Sequence, residues 1–420
     1  MTASSLAARA VTAILGFATI PLLVSGLGRH QYGVYAAVVS LSAFFVFADQ
    51  GLAVSARTYV AQSVATGDAL ALRASLRATW RMMLAIVVAL VAGLGVAAPF
   101  VPWAVVVPGA SPAVVLLYLV PAVVLLCATV PLRALEGVGR SALVARLPIL
   151  GSAWLLGTVA IGVALDRGIR YFLVTAALTS LPALLFASRA LHRALPDGPR
   201  DVTPSDRELV TVRRMWTSSW PIALVSVMLS VSYSTHPIIL SSVLGPAATA
   251  DYAVTFKLYS LGLTVVTAGY PVLWTHFATA RAAAQSHRIP WRGVVLLVTL
   301  AVVIAVGLAS CGPFVIRHWA GEEFRHSREL LVAMGALLVA IAVQLVPAAA
   351  LTDDASLRFQ VWTTTAMAVA NVPLSLVLAH SWGVSGPVWA SVVSLVAFHA
   401  SILWWRFMRK QPRPTGPTLP

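Results

Sequence analysis

Apolar stretches of about 20 residues recur along the whole chain, and this recurrence constrains the fold more than any other feature. Only helices and closed barrels satisfy the backbone polar groups in lipid, and these stretches lack the alternating pattern of a barrel strand. The sequence therefore predicts an all-α integral membrane protein with twelve transmembrane helices. To within several residues, the predicted spans are 10–28, 33–54, 80–98, 113–135, 142–165, 171–190, 216–244, 248–273, 291–316, 329–351, 360–379 and 384–405.

The composition excludes several other classes of protein. Of the 420 residues, 59% are hydrophobic and only 10% are charged, whereas soluble proteins carry about 25% charged residues. These values exclude a soluble enzyme, a disordered chain and a disulfide scaffold. The net charge of +15 does not indicate nucleic-acid binding, because the basic residues are scattered singly between apolar stretches. The two cysteines and nine histidines show no metal-binding or redox spacing, so we expect no cofactor and no metal site.

The distribution of arginine and lysine indicates how the helices are oriented. Lys257 lies within a span. If the N-terminus is cytoplasmic, all but six of the other basic residues lie in cytoplasmic segments. The six in outer loops are Arg29, Arg167, Arg170, Arg317, Arg325 and Arg328. Cytoplasmic loops carry an excess of Lys and Arg. We therefore expect a multi-pass protein with both termini in the cytoplasm.

A long polar connection follows the sixth predicted helix and contains Pro196, Pro199 and Pro204. We interpret it as a cytoplasmic linker between two halves. The predicted domains are an N-terminal six-helix lobe at 1–195, the linker at 196–213 and a C-terminal six-helix lobe at 214–408. The proline-rich residues 409–420 are predicted to form a disordered cytoplasmic tail.

The second half of the chain repeats features of the first at an offset of about 215 residues. Because each half has six helices, the halves share one topology, and their pseudo-two-fold axis is expected along the membrane normal. Two such lobes are the usual build of an alternating-access transporter. The matches are Leu27-Gly28 with Leu244-Gly245, Pro21 with Pro237, Pro99-Phe100-Val101 with Pro313-Phe314-Val315, and Arg167-Gly168-Ile169 with Trp382-Gly383-Val384.

A family resemblance rests on the segment from Leu27 to Tyr35, which continues through Asp49-Gln50-Gly51-Leu52 to Arg57. It resembles the opening signature of the polysaccharide-repeat (lipid-linked oligosaccharide) flippases of the multidrug/oligosaccharidyl-lipid/polysaccharide (MOP) exporter superfamily. Later landmarks of that family resemble Leu135-Glu136-Gly137 with Arg140, and Gly383-Val384-Ser385-Gly386 with Ala390.

The resemblance implies two lobes around a hydrophilic cleft in a bacterial cytoplasmic membrane. By alternating access the cleft would move an undecaprenyl-pyrophosphate-linked oligosaccharide to the outer leaflet. The resemblance also implies the partners: that lipid-linked oligosaccharide, membrane lipid, a coupling cation (proton or sodium) and polysaccharide assembly proteins.

Lys257 is the clearest candidate for binding an anionic substrate, because charges within spans are costly and often functional. Ser260, Thr264 and Thr267 follow it at a helical spacing and form one polar stripe with it. Such a stripe fits a hydrated cleft better than lipid. The alternative is a lysine whose amine reaches the membrane surface.

Other polar residues within or beside the spans are candidates for the same cleft. Arg9 begins a polar stripe in the first helix, where a cytoplasmic anchor is the alternative. Ser230 and Tyr233 share a face of the seventh helix, where packing and hydrogen bonds within the helix are the alternative. Asp49 and Arg57 lie at the cytoplasmic end of the second helix, where an ion pair with another helix is the alternative.

Pro21 and Pro237 each remove a backbone hydrogen bond in the first helix of their lobe. We therefore predict that these two prolines are hinges. Each lobe would bend at its proline as the cleft opens and closes.

Two other functions compete with that of a flippase. A multidrug or cation antiporter of the same superfamily would favour a carboxylate deep in the first lobe, where Asp49 is the only acidic residue well within a span. A membrane-embedded polysaccharide polymerase would need carboxylates or histidines in an outer loop, and one predicted outer loop does contain His318, Glu322, Glu323 and His326. We expect a transporter without catalytic residues. No P-loop is present, so energy must come from an ion gradient, the membrane potential or flux.

Overall fold

The structure, a computed structural model, describes residues 3–195, 206–282, 290–324 and 327–410; in a few stretches, 46–55 among them, it describes the backbone alone. Every regular element in these residues is helical, and the all-α prediction is confirmed. The α-helices are α1 (Ala3–Leu41), α2 (Ala43–Ala65), α3 (Ala69–Ala97), α4 (Trp103–Val106), α5 (Pro112–Val124), α6 (Thr129–Gly137), α7 (Ser141–Val144), α8 (Pro148–Ala164), α9 (Ile169–Ala177), α10 (Leu181–Ala194), α11 (Asp206–Ser234), α12 (His236–Leu244), α13 (Pro246–Thr267), α14 (Tyr270–Ala282), α15 (Trp291–Ala320), α16 (Arg328–Ala350), α17 (Asp354–Trp382), α18 (Gly386–Ser394) and α19 (Ser401–Lys410).

Each of the twelve predicted spans coincides with helix in this structure. Among the described residues, 9 helical segments are long and apolar enough to cross a bilayer. Two of them, Ala7–Phe45 and Ala355–Arg409, each extend over parts of two predicted spans. The eighth predicted span is α13, which falls outside these segments because Asp251 and Lys257 lower its hydropathy. Of the twelve predicted spans, α13 is thus one that carries both an acidic and a basic residue.

A left-handed backbone at Gly28 separates the first two predicted spans within α1. Its φ of 70° and ψ of 164° lie outside the helical region. Gly245, its predicted repeat partner, has a φ of 87° directly before α13. Glycine adopts positive φ at little cost because it has no Cβ. The same backbone feature thus occurs at matched positions of the two sequence halves.

The two predicted hinge prolines have different surroundings. Pro237 lies directly after a helix break, since α11 ends at Ser234 and α12 begins at His236. There the ring occupies the first turn of a helix, where a missing backbone N–H is tolerated. Pro21 lies inside α1, which is continuous through it. The hinge role of both residues stays a prediction.

The packing divides the chain into two compact units. Unit 1 extends to Ser230 and includes Gly245–Ala250, whereas unit 2 comprises Val231–Leu244 and the chain from Asp251 onward. This division falls within α11 and not in the polar connection at 196–213. That connection is also helical from Asp206 on, and α19 continues to Lys410, two residues into the predicted tail. Residues 196–205 and 411–420 lie outside the described residues, so the predicted domain bounds stay predictions.

Each unit has its own interior. In unit 1, an apolar cluster joins α2, α3, α6 and α10 through Val60, Leu72, Leu135 and Leu191. In unit 2, α16 is largely buried, and α17 and α18 contribute an unusual set of buried polar side chains. They include Gln360, Thr363, Thr364, Asn371, Ser375, Ser391 and Ser394.

Candidate substrate and ion-binding residues

Lys257 lies half-buried on α13 in unit 2. It forms no ion pair with any residue that the structure describes. An ammonium within a membrane span is costly unless it is hydrated or paired. Lys257 therefore remains a candidate for contacting an anionic ligand.

The hydroxyl groups of the predicted stripe donate to their own helix. Ser260 Oγ donates to the Lys257 carbonyl at 2.7 Å, and Thr264 Oγ1 donates to the Ser260 carbonyl at 2.8 Å. Thr267 Oγ1 likewise donates to the Leu263 carbonyl at 2.8 Å. Because a hydroxyl has one hydrogen, these groups keep only lone pairs for a ligand. In this arrangement they can accept hydrogen bonds from a ligand, whereas the ammonium of Lys257 can donate to an anion.

Ser230 and Tyr233 do not form a common polar surface in this structure. Ser230 is 2% exposed, and its Oγ lies in unit 1 at 3.3 Å from the Ala43 carbonyl, to which it donates. Tyr233 belongs to unit 2, where its hydroxyl is buried without a hydrogen-bond partner among the described residues. Ser230 thus fits the packing alternative, whereas Tyr233 has an unused polar group.

Arg57 forms an ion pair with another helix, which is the alternative to a role in substrate binding. It is exposed on α2, and its Nη1 lies 4.0 Å from Glu136 Oε2 on α6. Arg133 Nη1 donates to the same carboxylate at 3.2 Å. Arg9 is exposed on α1, and the side chain of Asp49 lies outside the described residues. The roles of Arg9, Asp49 and Arg57 in substrate binding stay predictions.

A buried hydrogen-bond network in unit 2 centres on His236, which sequence reasoning missed. The imidazole is 1% exposed. Its Nδ1 lies 3.0 Å from Tyr252 Oη, and its Nε2 lies 2.8 Å from Ser391 Oγ. The ring of Tyr252 also packs edge to face against it. Both ring nitrogens are therefore bonded to hydroxyl groups.

Asn371 extends this network along α17, where its side chain is fully buried. In the orientation that satisfies all its neighbours, the amide nitrogen donates to Ser375 Oγ and to the Ser232 carbonyl, both at 3.1 Å. The amide oxygen accepts from Ser391 and Ser394 at 2.9 Å. Four buried hydroxyl and carbonyl groups are thus satisfied by one side chain, as buried polar groups require.

One tautomer of His236 is consistent with all these bonds. When the hydroxyl of Ser391 donates to the Asn371 oxygen, Ser391 Oγ accepts from the imidazole. His236 then carries its hydrogen on Nε2, and Nδ1 accepts from the hydroxyl of Tyr252. The imidazole is neutral in this arrangement.

A cavity of about 80 Å³ adjoins the network within unit 2. Two buried hydroxyls at this cavity, those of Tyr233 and Tyr259, have no hydrogen-bond partner in the described part of the chain. Orphaned buried hydroxyls are costly, and the remaining wall of the cavity is almost wholly apolar. The lining residues are Tyr233, His236, Tyr252, Phe256, Tyr259, Leu263, Met334, Leu337, Ile341 and Val388.

One signal in the sequence could have identified this cluster. A histidine within an apolar span is a functional candidate by default. None of the nine histidines, however, has a partner at motif spacing in the sequence. The partners of His236 are 16 and 155 residues away along the chain. Only the packing of α12 against α13 and α18 brings them together.

The fold is that of the MOP superfamily transporters, in which twelve transmembrane helices form two lobes. The inward-facing conformation of a multidrug resistance MATE family transporter matches with a TM-score of 0.79 and 14% identity, over 96% of this chain and 98% of that one. The lipid II flippase MurJ, in an inward closed conformation, matches with a TM-score of 0.73 and 11% identity, over 97% of this chain and 88% of the other. A MOP superfamily transporter from Pyrococcus furiosus matches with a TM-score of 0.59 and 15% identity, over 97% and 93% of the two chains.

The sequence assigns the family within this class. Residues 2–273 match the family model described as Polysaccharide biosynthesis protein. The chain therefore belongs to that family of membrane transporters. The comparison with curated proteins gave no match.

Proposed function

We propose that the protein is a flippase that moves an undecaprenyl-pyrophosphate-linked oligosaccharide repeat across the bacterial cytoplasmic membrane for polysaccharide biosynthesis. The observation that carries the proposal is the family match over residues 2–273. The similarity in fold to a protein described as a lipid II flippase supports it. Both termini lie in the cytoplasm, and the lobes alternate access to a cationic cleft.

Lys257 has the chemistry that such a substrate needs. A lipid pyrophosphate brings negative charge into a low-dielectric region, where a nearby ammonium offsets part of the lost hydration. The lone pairs of Ser260 and Thr264 accept from sugar hydroxyls, because the hydrogens of both groups are already used within α13. In this arrangement Lys257 contacts the pyrophosphate, and the polyprenyl chain stays in lipid.

The test is complementation of polysaccharide export in a strain that lacks its own polysaccharide-repeat flippase. The wild-type protein restores export, and Lys257→Ala abolishes it at normal abundance on a blot. Lys257→Arg keeps part of the activity, because it preserves the charge but not the compact ammonium. Val265→Ala, an exposed truncation on the same helix, is the matched control and retains full export.

The two levels of the proposal fail in different ways. If the wild-type protein does not restore export in strains that make different polysaccharides, the flippase function is wrong. If the wild-type protein works and Lys257→Ala works equally well at the same abundance, the flippase function stands and the role of Lys257 is wrong.

A multidrug or cation antiporter is the second candidate, because a multidrug resistance MATE family transporter matches with the higher TM-score of 0.79. Lys257 pairs with no carboxylate in the described part of the chain, and such an ammonium disfavours a cationic substrate, since like charges repel in a low dielectric. Ethidium accumulation in an efflux-deficient strain separates the two. The flippase proposal predicts that the protein leaves accumulation unchanged, whereas lower accumulation would favour the antiporter.

A polymerase would need catalytic groups in the predicted outer loop that contains Glu322 and Glu323. An ion pair lies at the start of this loop. Arg317 Nη2 donates to Glu322 Oε1 at 2.6 Å, and both side chains are exposed. This hydrogen bond lowers the pKa of Glu322, so the group is ionised. A general acid needs the opposite shift. His318 Nδ1 is bonded to the Phe314 carbonyl at 2.9 Å, and His326 lies outside the described residues.

A further inference from the structure

We propose that Arg167 and Arg170, together with Gln31, bind the phosphate group of a membrane lipid at the end of unit 1 that is predicted to face outside. Two kinds of lipid carry this chemistry there: the lipid pyrophosphate that a flippase delivers, and the phospholipids of the outer leaflet. The first source rests on the function proposed above, and the second does not. The site is formed by unit 1, whereas Lys257 belongs to unit 2.

The arginines at this end of unit 1 run against the distribution that membrane topology favours. Arg29, Arg167 and Arg170 are three of the six basic residues in predicted outer loops, whereas Lys and Arg concentrate on the cytoplasmic side. The other predicted outer connection of unit 1, residues 99–112, contains no charged residue. Topological anchoring therefore does not account for the three arginines.

Packing within unit 1 brings the two charged connections together. A Cβ on Gly26 of α1 would lie 2.8 Å from Val163 Cγ2 and 3.2 Å from Phe172 Cζ, so α1 packs tightly against α8 and α9. Gln31, farther along α1, lines an open pocket of about 410 Å³ together with the segment Gly168–Tyr171. Two connections that are distant in the sequence thus meet at one pocket.

The arginines of the connection between α8 and α9 are available to a ligand. Arg167 and Arg170 are exposed and form no ion pair with any residue that the structure describes. Asp166 is the acidic residue of this connection, and it pairs with neither arginine. Two arginines against one aspartate leave the connection with an excess of positive charge.

The matched connection of unit 2 indicates that the fold does not require these arginines. Arg167-Gly168-Ile169 matches Trp382-Gly383-Val384, and Arg170 therefore corresponds to Ser385. Ser385 is buried, and its hydroxyl donates to the Trp382 carbonyl at 3.0 Å. Unit 2 thus joins its matched helices without an arginine, so the charge in unit 1 is free to serve binding.

The pocket has the chemistry of a lipid site and not that of a site for a free anion. Its wall is almost wholly apolar and includes Ile169 and Tyr171, whose hydroxyl donates to the Thr158 carbonyl at 3.0 Å. An apolar chain gains free energy against such a wall, whereas a guanidinium fork matches the oxygens of a phosphate. The pocket also lies at the N-terminus of α9, which has no side-chain cap, and helix N-termini favour anions. A ligand that satisfies both parts is an amphiphile with a phosphate head.

Lipid binding to the detergent-purified protein tests the site. The probes are farnesyl pyrophosphate, dioleoylphosphatidylglycerol and dioleoylglycerol, and native mass spectrometry measures their dissociation constants. Arg167→Gln with Arg170→Gln should weaken binding of the two phosphate lipids about tenfold, the effect of losing one hydrogen bond to a charged group. Dioleoylglycerol, which has no phosphate, should bind weakly and with the same affinity to both proteins.

Three further variants separate this site from other causes. Arg317→Gln is the matched control, because Arg317 also lies in a predicted outer loop but is paired with Glu322; this variant should bind as the wild type does. Arg167→Lys with Arg170→Lys keeps the charge without the planar fork and should retain part of the affinity. All titrations are repeated in a Lys257→Ala background, in which binding at Lys257 does not contribute.

The two phosphate lipids distinguish the sources. Tighter arginine-dependent binding of farnesyl pyrophosphate identifies a lipid pyrophosphate as the ligand, and equal or tighter binding of phosphatidylglycerol identifies a phospholipid. Unchanged affinities in the double glutamine variant, or equal affinity for dioleoylglycerol, would overturn the proposal.

The binding assay needs no export, so its failure is distinguishable from that of the flippase function. Arginine-dependent binding by a protein that restores no export leaves the site standing and counts against the flippase function alone. Export by the wild-type protein, combined with unchanged affinities in the double glutamine variant, counts against the site alone.

Discussion

Gly33 of α1 lies directly against the backbone of Pro246 at the start of α13, and a Cβ on Gly33 would overlap the Pro246 carbonyl oxygen. Both residues belong to unit 1. Gly33 is also part of the segment on which the family resemblance rests. Glycine at this position therefore has a steric explanation, because the close approach of two backbones requires a residue without a side chain.

Replacing Gly33 by alanine should destabilise the protein strongly. The clash is with backbone and not with a movable side chain, and overpacking of this kind costs about 1–3 kcal/mol or more. Gly157→Ala is the control, because a Cβ there meets nothing within 4 Å. Unfolding of the detergent-purified proteins should show a lower midpoint for Gly33→Ala only. Equal midpoints would contradict the contact.

Gly28 should respond to substitution for a different reason. A Cβ there meets nothing within 4 Å, but the φ of +70° disfavours any other residue. The ψ of 164° places Gly28 outside the αL region that asparagine tolerates, so Gly28→Ala and Gly28→Asn should each cost about 1–3 kcal/mol through the backbone alone. Gly168→Ala, at a φ of -78° and in open space, serves as the control in the same unfolding assay. Unchanged stability of Gly28→Ala and Gly28→Asn would argue against backbone strain.

Glu136 should contribute more to stability than Glu322, although each is paired with arginine. Glu136 is 17% exposed and contacts Arg57 and Arg133, whereas Glu322 is 75% exposed and pairs with Arg317 alone. Glu136→Gln should cost about 1.5–3 kcal/mol, the range for hydrogen bonds to charged groups. Glu322→Gln should cost less, because solvent screens an exposed ion pair. Denaturant titration of both variants measures the difference, and a larger loss for Glu322→Gln would reverse the ranking.

Cysteine labelling can establish the orientation in the membrane. In a Cys127→Ser, Cys311→Ser background, Ser205→Cys should be inaccessible to a membrane-impermeant maleimide in intact spheroplasts and accessible after lysis. Glu323→Cys should be labelled in both, because it lies in a predicted outer loop. The reverse pattern would place the N-terminus outside and contradict the distribution of arginines.

The helical architecture could be read from the sequence because it follows from local chemistry. Backbone groups in lipid must be satisfied within the segment, so each apolar stretch of sufficient length has to be a helix. The positive φ at Gly28 and at Gly245 also has a local cause. Glycine, which has no Cβ, stands at these matched positions of the two halves. Lys257 was likewise identifiable, since a charge within a span is conspicuous in the sequence alone.

The side-chain partnerships were decided only by the tertiary structure. Helical spacing predicts that Ser260 and Thr264 share one face of α13, but it cannot show that both hydroxyls donate to their own backbone. His236 carried no motif, because Tyr252 and Ser391 reach it from helices that are distant along the chain. Periodicity specifies which residues share a face of a helix. Which faces meet depends on the packing of several helices at once, and this determines whether a buried polar group is satisfied, orphaned or available to a ligand.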